Sequence, residues 1–392
     1  LKRLYGWDVQ GEEIVLVPGV VTGLNLAFTL FAEPGEAVLV QPPVYSHFIA
    51  DPVNRGRTVI DPPLVKRGDT YEIDFDAFEE AITDRTRIFV LCNPHNPVGR
   101  VFRKEELERL ADICLRRDVL ICSDEIHCDL LFPGNRHLPI ATLGNEVADR
   151  TITFMSPSKT FNLAGLKCSF AVIRDPVLRK TWLKGSEGLI PHVNVLGITA
   201  ALAAYRDGEE WLTQCLAYLE SNRGLLEHFL GERSPSLSMS RMEATYLAWI
   251  DCRESRIPGN PFRFFLEEGR VALNDGREYG KGGEGFVRLN FACPRGSLTE
   301  ALERLRDWVM ERGGTERAFA NEYWDHHETG IYVEARTGEA LFASTSKFDS
   351  GSGWPSFTRP INPDAITLHE DNALGMRRIE VRSREGNHHL GH

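Results

Sequence analysis

The stretch from Ile88 to Ser123 reads IFVLCNPHNPVGRVFRKEELERLADICLRRDVLICS. Its two ends, Ile88–Cys92 and Val119–Ser123, are almost wholly apolar, which predicts strands buried on both faces. Between them Lys104–Arg117 has helical periodicity, with Glu105 and Glu106 in its first turn and the basic pair Arg116-Arg117 at its end. That charge order suits the helix dipole. Strand, helix and strand in this order form the unit from which parallel sheets are built.

The alternation continues on either side. Ile14–Val17, Ala37–Gln41, Thr151–Met155 and Ser169–Ile173 read as further strands, each near-continuously apolar and so expected to be covered on both faces. Val20–Phe31 reads as a helix. The whole implies a doubly wound, mostly parallel α/β sheet with helices on both faces. Ligands in such sheets gather beyond the carboxyl ends of the strands.

Farther on, residues 195–230 read as helical, with Gly208-Glu209-Glu210-Trp211 opening one segment. Strand-like Tyr246–Asp251 and Phe286–Phe291 then precede a helix at Leu298–Arg312. These features predict a large domain over about 14–205 and a smaller α+β domain over about 206–312. After Gly313-Gly314 the chain becomes rich in Gly, Ser, aromatics and His, which reads as a small β-rich unit over 313–392.

At 392 residues the chain is too long for one ordinary domain. A composition of 42% hydrophobic and 26% charged residues is that of a soluble globular protein. A net charge of −11 argues against a nucleic-acid partner, which needs a dense basic face. No apolar run reaches the roughly 18–20 residues that span a bilayer, and no secretory signal is visible. The chain opens on Leu1 rather than Met, so a preceding start is expected. Its eight cysteines form no CxxC pair, and none follows Cys293. They read as buried free thiols of a reducing compartment, which predicts a cytoplasmic location.

Four polar clusters fall just past the predicted strands. They are Pro18-Gly19-Val20-Val21-Thr22-Gly23, Asn93-Pro94-His95-Asn96-Pro97-Val98-Gly99, Ser123-Asp124-Glu125-Ile126-His127 and Ser156-Pro157-Ser158-Lys159-Thr160-Phe161-Asn162. Singly, each has an ordinary reading as a loop, a cap or a surface turn. Their convergence on one edge of one sheet points to a site.

In this order, and with Arg288-Leu-Asn-Phe-Ala-Cys-Pro-Arg295 downstream, the clusters resemble fold-type I pyridoxal-phosphate enzymes. Among these they look closest to the MalY/PatB-type cystathionine β-lyases of the aminotransferase class I/II superfamily, over residues 1–312. The resemblance implies pyridoxal 5′-phosphate held as a Schiff base by Lys159, which then serves as base for the substrate α-proton. Asp124 would face the pyridine nitrogen, Asn96 and His127 the ring hydroxyl side, and Tyr45 the ring face. Val20 and Val21 would offer backbone N–H groups to the phosphate, joined by Ser156, Ser158 and Lys167. Lys167 stands where many relatives carry Arg. Arg288 would clamp the substrate carboxylate, with Asn96 and Tyr45 beside it.

The same resemblance implies a homodimer, an amino-acid substrate and a further N-terminal segment ahead of Leu1-Lys2-Arg3-Leu4-Tyr5. The expected reaction is cleavage of cystathionine or a related cysteine S-conjugate to thiol, pyruvate and ammonia. Three alternatives stay open: an aminotransferase using the same residues, an enzyme-like regulator, and a longer gene product whose main activity is sulfoxide reduction. Gly280-Lys-Gly-Gly-Glu-Gly285 lacks the strand and the Lys-Ser/Thr ending of a nucleotide loop, so a glycine-rich hairpin is expected there. His127-Cys128 near Cys122 fits no closed metal site, and no metal is expected.

Residues 313–392 resemble methionine-R-sulfoxide reductase B, most specifically in Gly351-Ser-Gly-Trp354-Pro-Ser-Phe357 and His389-Leu-Gly-His392. By that resemblance Trp354 would line the methyl pocket, and His389 and His392 would hold the sulfoxide. An exposed tail is the alternative reading of the His pair. The reaction needs a cysteine thiolate, which in this family follows the His-Leu-Gly-His run. The segment holds none, so a catalytically inactive, truncated reductase fragment is expected.

Overall fold

The apolar runs of the first 173 residues assemble one large sheet. The computed structural model describes the chain apart from residues 234–235, 256, 258, 312–318, 320, 322, 335–336, 372–377, 387–388 and 392. In chain order the first elements are α1 (Lys2–Tyr5), β1 (Ile14–Val17), α2 (Val20–Phe31), β2 (Ala37–Leu39), α3 (Ser46–Asn54) and β3 (Thr58–Ile60). A hairpin of β4 (Val65–Arg67) and β5 (Thr70–Glu72) follows, then α4 (Phe75–Glu80), β6 (Thr86–Cys92), α5 (Lys104–Arg116) and β7 (Leu120–Asp124). Next come α6 (Asn145–Asp149), β8 (Thr151–Met155), α7 (Pro157–Thr160), β9 (Ser169–Ile173), α8 (Pro176–Ser186), α9 (Val195–Asp207) and α10 (Glu209–Arg233).

The seven strands run in the order β1-β9-β8-β7-β6-β2-β3. The five from β8 to β3 are mutually parallel, whereas β9 is antiparallel to both of its neighbours. Strands β2, β7 and β8 are buried throughout, as their composition predicts. Strand β1 departs from that expectation: Ile14 and Leu16 are 37% and 48% exposed. It lies at the sheet edge, where alternate side chains face solvent rather than a second layer.

Alternation along β6 divides the core in two. Phe89 and Leu91 join a cluster with Phe78 of α4 and Leu107, Leu110 and Ile113 of α5. Ile88, Val90 and Cys92 face the opposite cluster, with Leu24 and Phe28 of α2, Phe154 of β8 and Trp182 of α8. Helix α2 lies so close to the sheet that a Cβ on Gly23 would come 2.6 Å from the ring of Phe154.

A smaller sheet follows, from β10 (Ser238–Met239), β11 (Leu247–Asp251), β12 (Asn274–Asp275) and β13 (Phe286–Asn290), with α11 (Pro261–Glu267) between β11 and β12. β12 and β13 pair antiparallel, with Asn274 opposite Arg288. The glycine-rich run that joins them is the expected hairpin. Its turn is so tight that a Cβ on Gly276 would meet the Gly283 carbonyl oxygen at 2.2 Å.

The chain divides into two compact units. One comprises Leu1–Arg223, Met239–Ile250 and Asn274–Ala292, and contains the large sheet. The other comprises Gly224–Ser238, Asp251–Leu273 and Cys293–His392. Here α12 (Arg295–Glu311) leads into short strands: β14 (Ile331–Val333), β15 (Ala340–Ala343), β16 (Lys347–Phe348), β17 (Ser356–Phe357), β18 (Ile366–Asp371), β19 (Arg378–Ser383) and β20 (His389–Gly391). All their pairings are antiparallel, in keeping with the β-rich reading. Phe342 and Phe357 stack at 4.5 Å, and Tyr332 meets Phe357 edge-on at 4.8 Å.

Candidate active site

The neighbouring strands β6, β7 and β8 run parallel and end side by side, with Cys92 opposite Asp124 and Asp124 opposite Phe154. Three of the four polar clusters therefore emerge from one sheet edge. Asp124, the last residue of β7, is buried, and its Oδ1 accepts the Ile126 N–H at 3.0 Å. Burial pushes its carboxyl up to about 7, against the opposing pull of that N–H and of Lys159; Glu125 adds to the rise. Such a carboxyl is set to become fully charged when a cation is laid against it.

Lys159 lies on the single turn α7, which Ser156 caps by accepting the Ser158 N–H at 3.1 Å. The lysine stands in a crowded but solvent-reached position. Desolvation lowers its pKa, Asp124 works against that shift, and Arg288 adds to it. His127 is buried, and desolvation, with Lys159 and Arg288 adding, lowers it to about 3. It is therefore a neutral imidazole, and its Nδ1 has no hydrogen-bond partner among the described residues. Its ring meets Tyr246 edge-on at 6.0 Å.

Arg288 comes from β13. Its Nη1 donates to the side-chain oxygen of Asn96 at 2.9 Å, and its Nη2 to that of Asn274 at 2.8 Å. The guanidinium lies over the Tyr279 ring, 5.1 Å from its centre. Half-buried Tyr45 precedes α3; burial raises its hydroxyl, with Asp124 adding and Arg288 opposing. Shared electrostatic partners and the Arg288–Asn96 hydrogen bond thus bring Tyr45, Asn96, Asp124, His127, Lys159 and Arg288 into one cluster within the first unit.

Val20 and Val21 open the twelve-residue helix α2 behind Gly19, whose φ of 140° sets the chain into the helix. The first N–H groups of such a helix have no partner within it. Ser156 donates its hydroxyl proton to the Cys168 carbonyl at 2.8 Å and is buried there. Ser158 is half-buried, and Lys167 is exposed in a left-handed conformation, φ 51°.

Asn274, Tyr279 and Tyr246 were not singled out from the sequence. Asn274 is identified by its register and hydrogen bond with Arg288, and the two tyrosines by rings that face Arg288 and His127. In the second unit, Trp354 is 40% exposed, and His389 Nδ1 lies 2.7 Å from Glu380 Oε1. His392 lies outside the described residues. Among the described residues no group of His, Cys, Asp or Glu is arranged to hold a metal ion.

Comparisons with known proteins divide the chain in sequence, close to residue 302. The family model described as aminotransferase class I and II matches residues 1–305, and the SelR domain model matches residues 302–392. The chain is 38% identical over 309 residues to cystathionine beta-lyase PatB of Bacillus subtilis, covering 78% of this chain and 80% of the relative. The crystal structure of OvoB superposes with a TM-score of 0.74 at 42% identity, covering 78% of this chain and 79% of that one. Cystalysin from Treponema denticola, whose structure contains a pyridoxal 5′-phosphate cofactor, superposes with a TM-score of 0.76 at 34% identity, covering 79% of both chains.

Proposed function

The chain belongs to the aminotransferase class I and II family, and we propose that it is a pyridoxal-phosphate-dependent carbon–sulfur β-lyase. Its substrate would be cystathionine or a related cysteine S-conjugate, and its products a thiol, pyruvate and ammonia. The observation that carries this reading is the cluster of Lys159, Asp124 and Arg288, in a chain 38% identical to a cystathionine beta-lyase.

The residues present suit the cofactor. Among the described residues Asp124 is a buried carboxyl with only the charge of Lys159 drawing it toward ionisation, the His127 Nδ1 has no partner, and no side chain caps the start of α2, whose first N–H groups have no partner within the helix. When bound, pyridoxal phosphate supplies an electron sink for the charge left on the substrate α-carbon. Asp124 would hold the proton on the ring nitrogen through a charge-assisted bond. Asn96 and His127 would meet the ring hydroxyl side, and Tyr45 the ring face. Val20, Val21, Ser158 and Lys167 would hold the phosphate. Ser156 has its proton on Cys168, and its part would be to keep α7 in place beside that group.

Lys159 Nζ would take the proton from the substrate Cα. A lowered pKa makes the amine easier to free of its own proton, and a placed base contributes about 10²–10⁴ in rate. Arg288, preset by Asn96 and Asn274, would bind the α-carboxylate as a fork. Elimination would then expel the sulfur from Cβ as a thiolate, which takes up a proton, and water would supply the keto oxygen as pyruvate and ammonia are released.

The test is pyruvate release from cystathionine by the chain loaded with pyridoxal phosphate, with no keto acid added. Lys159→Ala should abolish it. Strict dependence on a keto-acid acceptor would instead establish an aminotransferase, and activity that survives Lys159→Ala would point to a regulator.

A homodimer belongs to the same reading. Leu183 on α8, Leu189 in the segment after it, and Val195, Leu196 and Leu202 on α9 are exposed apolar side chains that a second copy would cover. Sedimentation of the intact chain tests this. Six buried free thiols and two half-buried ones support a reducing, cytoplasmic setting, and no helix among the described residues is long and apolar enough to cross a membrane. The lyase is proposed to end near residue 312. Residues 302–392 match the SelR domain model, and residues 313–392 contain no cysteine.

A further inference from the structure

Lys159 is carried by a helix of four residues, too short to hold its place by its own hydrogen bonds. Its start is tied through Ser156 to the Cys168 carbonyl. At its end the buried Thr160 donates from Oγ1 to Oδ2 of Asp129 at 3.3 Å. The other carboxylate oxygen, Oδ1, accepts the phenol proton of Tyr5 from α1. Asp129 lies in the segment after β7, where the Leu130 N–H bonds the His127 carbonyl at 3.0 Å.

That segment is itself fixed from below. The Tyr5 ring meets His137 edge-on at 5.6 Å, and His137 Nε2 lies 2.8 Å from Glu125 Oε2, both side chains wholly buried. Glu125 Oε1 accepts the Ser123 hydroxyl at 2.9 Å and the Ile140 N–H at 3.2 Å. Asp129 is therefore not a loose surface carboxylate. It joins a network rooted in β7, the strand that ends in Asp124, to the turn that bears Lys159.

We propose that Asp129 is a positioning residue for the amine of Lys159. Its carboxylate, steadied by Tyr5, holds Thr160 and so fixes where α7 presents Nζ relative to Asp124 and Arg288. This inference rests on the role of Lys159 argued above. A reacting group displaced by ~1 Å can cost about 10²-fold in rate. Among the described residues α7 is tied to its neighbours through the Ser156 hydroxyl at its start and the Thr160 hydroxyl at its end, so removing the latter releases the end next to the lysine.

The test compares Thr160→Val, which keeps the shape and removes the donor, with Thr160→Ser, which keeps the donor, in the full chain loaded with pyridoxal phosphate. The readouts are the pH midpoint of the bound cofactor's visible absorbance, and kcat and KM for pyruvate release. Thr160→Val is expected to move the midpoint by at least about half a pH unit and lower kcat about tenfold, with KM within about twofold. Thr160→Ser should stay within about twofold of the wild type in both constants. Asp129→Ala should reproduce Thr160→Val, and the double variant should be no worse than either alone, as for residues acting through one contact.

A Thr160→Val protein with the wild-type midpoint and kcat would overturn the proposal. So would a Thr160→Ser protein as impaired as Thr160→Val, which would mean that the methyl packing matters and the hydroxyl does not. If Asp129→Ala folds poorly, the two Thr160 variants decide the question. Failure of the underlying reading is distinct: the wild type would then show no cofactor absorbance that Lys159→Ala removes.

Discussion

Arg288 Nη1 donates to the side-chain oxygen of Asn96 at 2.9 Å, joining residues 192 apart in the chain. Asn274 takes the other side of the guanidinium, and Tyr279 lies beneath it. The fork is thus aimed before any carboxylate arrives, so little side-chain freedom remains to be lost on binding.

Replacing Arg288 by Lys keeps the charge but removes the fork and both side-chain ties. A charge-assisted hydrogen bond is worth about 1.5–3 kcal/mol, so kcat/KM should fall roughly 10- to 150-fold. Steady-state kinetics of pyruvate release measure this. Unchanged kcat/KM in the lysine variant would remove Arg288 from substrate binding.

Asp124 gives a pH-dependent signature in the cofactor-free protein. Its folded-state pKa, about 7, lies above that of a carboxyl in the unfolded chain, about 3.9. Between these values the folded protein binds the extra proton, so each rise in pH removes stability. Asp124→Asn should therefore melt higher than the wild type at about pH 7.5, with the gap closing toward about pH 4. Added pyridoxal phosphate should stabilise the wild type more than the variant. Thermal melts across this range decide it, and a gap independent of pH would refute the assignment.

Trp249 Nε1 donates to the Tyr71 hydroxyl at 3.0 Å, with both residues buried. Tyr71→Phe leaves that N–H without its acceptor, which costs about 1–3 kcal/mol. Denaturant unfolding should show a lower midpoint with an unchanged slope. An unchanged midpoint would mean that the bond adds nothing.

Gly276→Ala should be far more damaging than its size suggests. The new Cβ would lie 2.2 Å from the Gly283 carbonyl oxygen and 2.4 Å from that of Phe286, and backbone cannot move aside cheaply. We expect a loss of about 2 kcal/mol or more, together with reduced turnover, because this hairpin presents Tyr279 and Arg288. Gly296→Ala is the control: nothing lies within 4 Å of its Cβ, and helix α12 should tolerate or favour alanine. Equal effects at the two positions would refute the steric argument.

Much of the sheet was legible because its strands are short, apolar and separated by helices. Thr151–Met155 and Ser169–Ile173 form β8 and β9 with the bounds that their composition suggested, and α5 ends one residue before the expected Arg117. Strand β3 was missed, since one exposed and two half-buried residues carry too little pattern. Nothing in Ser169–Ile173 marks it as antiparallel, because direction in a sheet depends on the path of the connections. In the site, Lys159 and Asp124 stand in recognisable local motifs. Asn274, Tyr246 and Tyr279 are ordinary residues made relevant only by what they face.

What the sequence alone determined is therefore local: the periodic burial that makes each strand and helix, and the donor types gathered at the strand ends. The tertiary structure decided which of those donors remain available. The Ser156 hydroxyl is used on Cys168, the Asn96 oxygen on Arg288, and the Asp129 carboxylate on Thr160 and Tyr5. The physical reason is that a hydrogen bond needs a partner at about 3 Å, and partners far apart in sequence meet only once the sheet has set their distance.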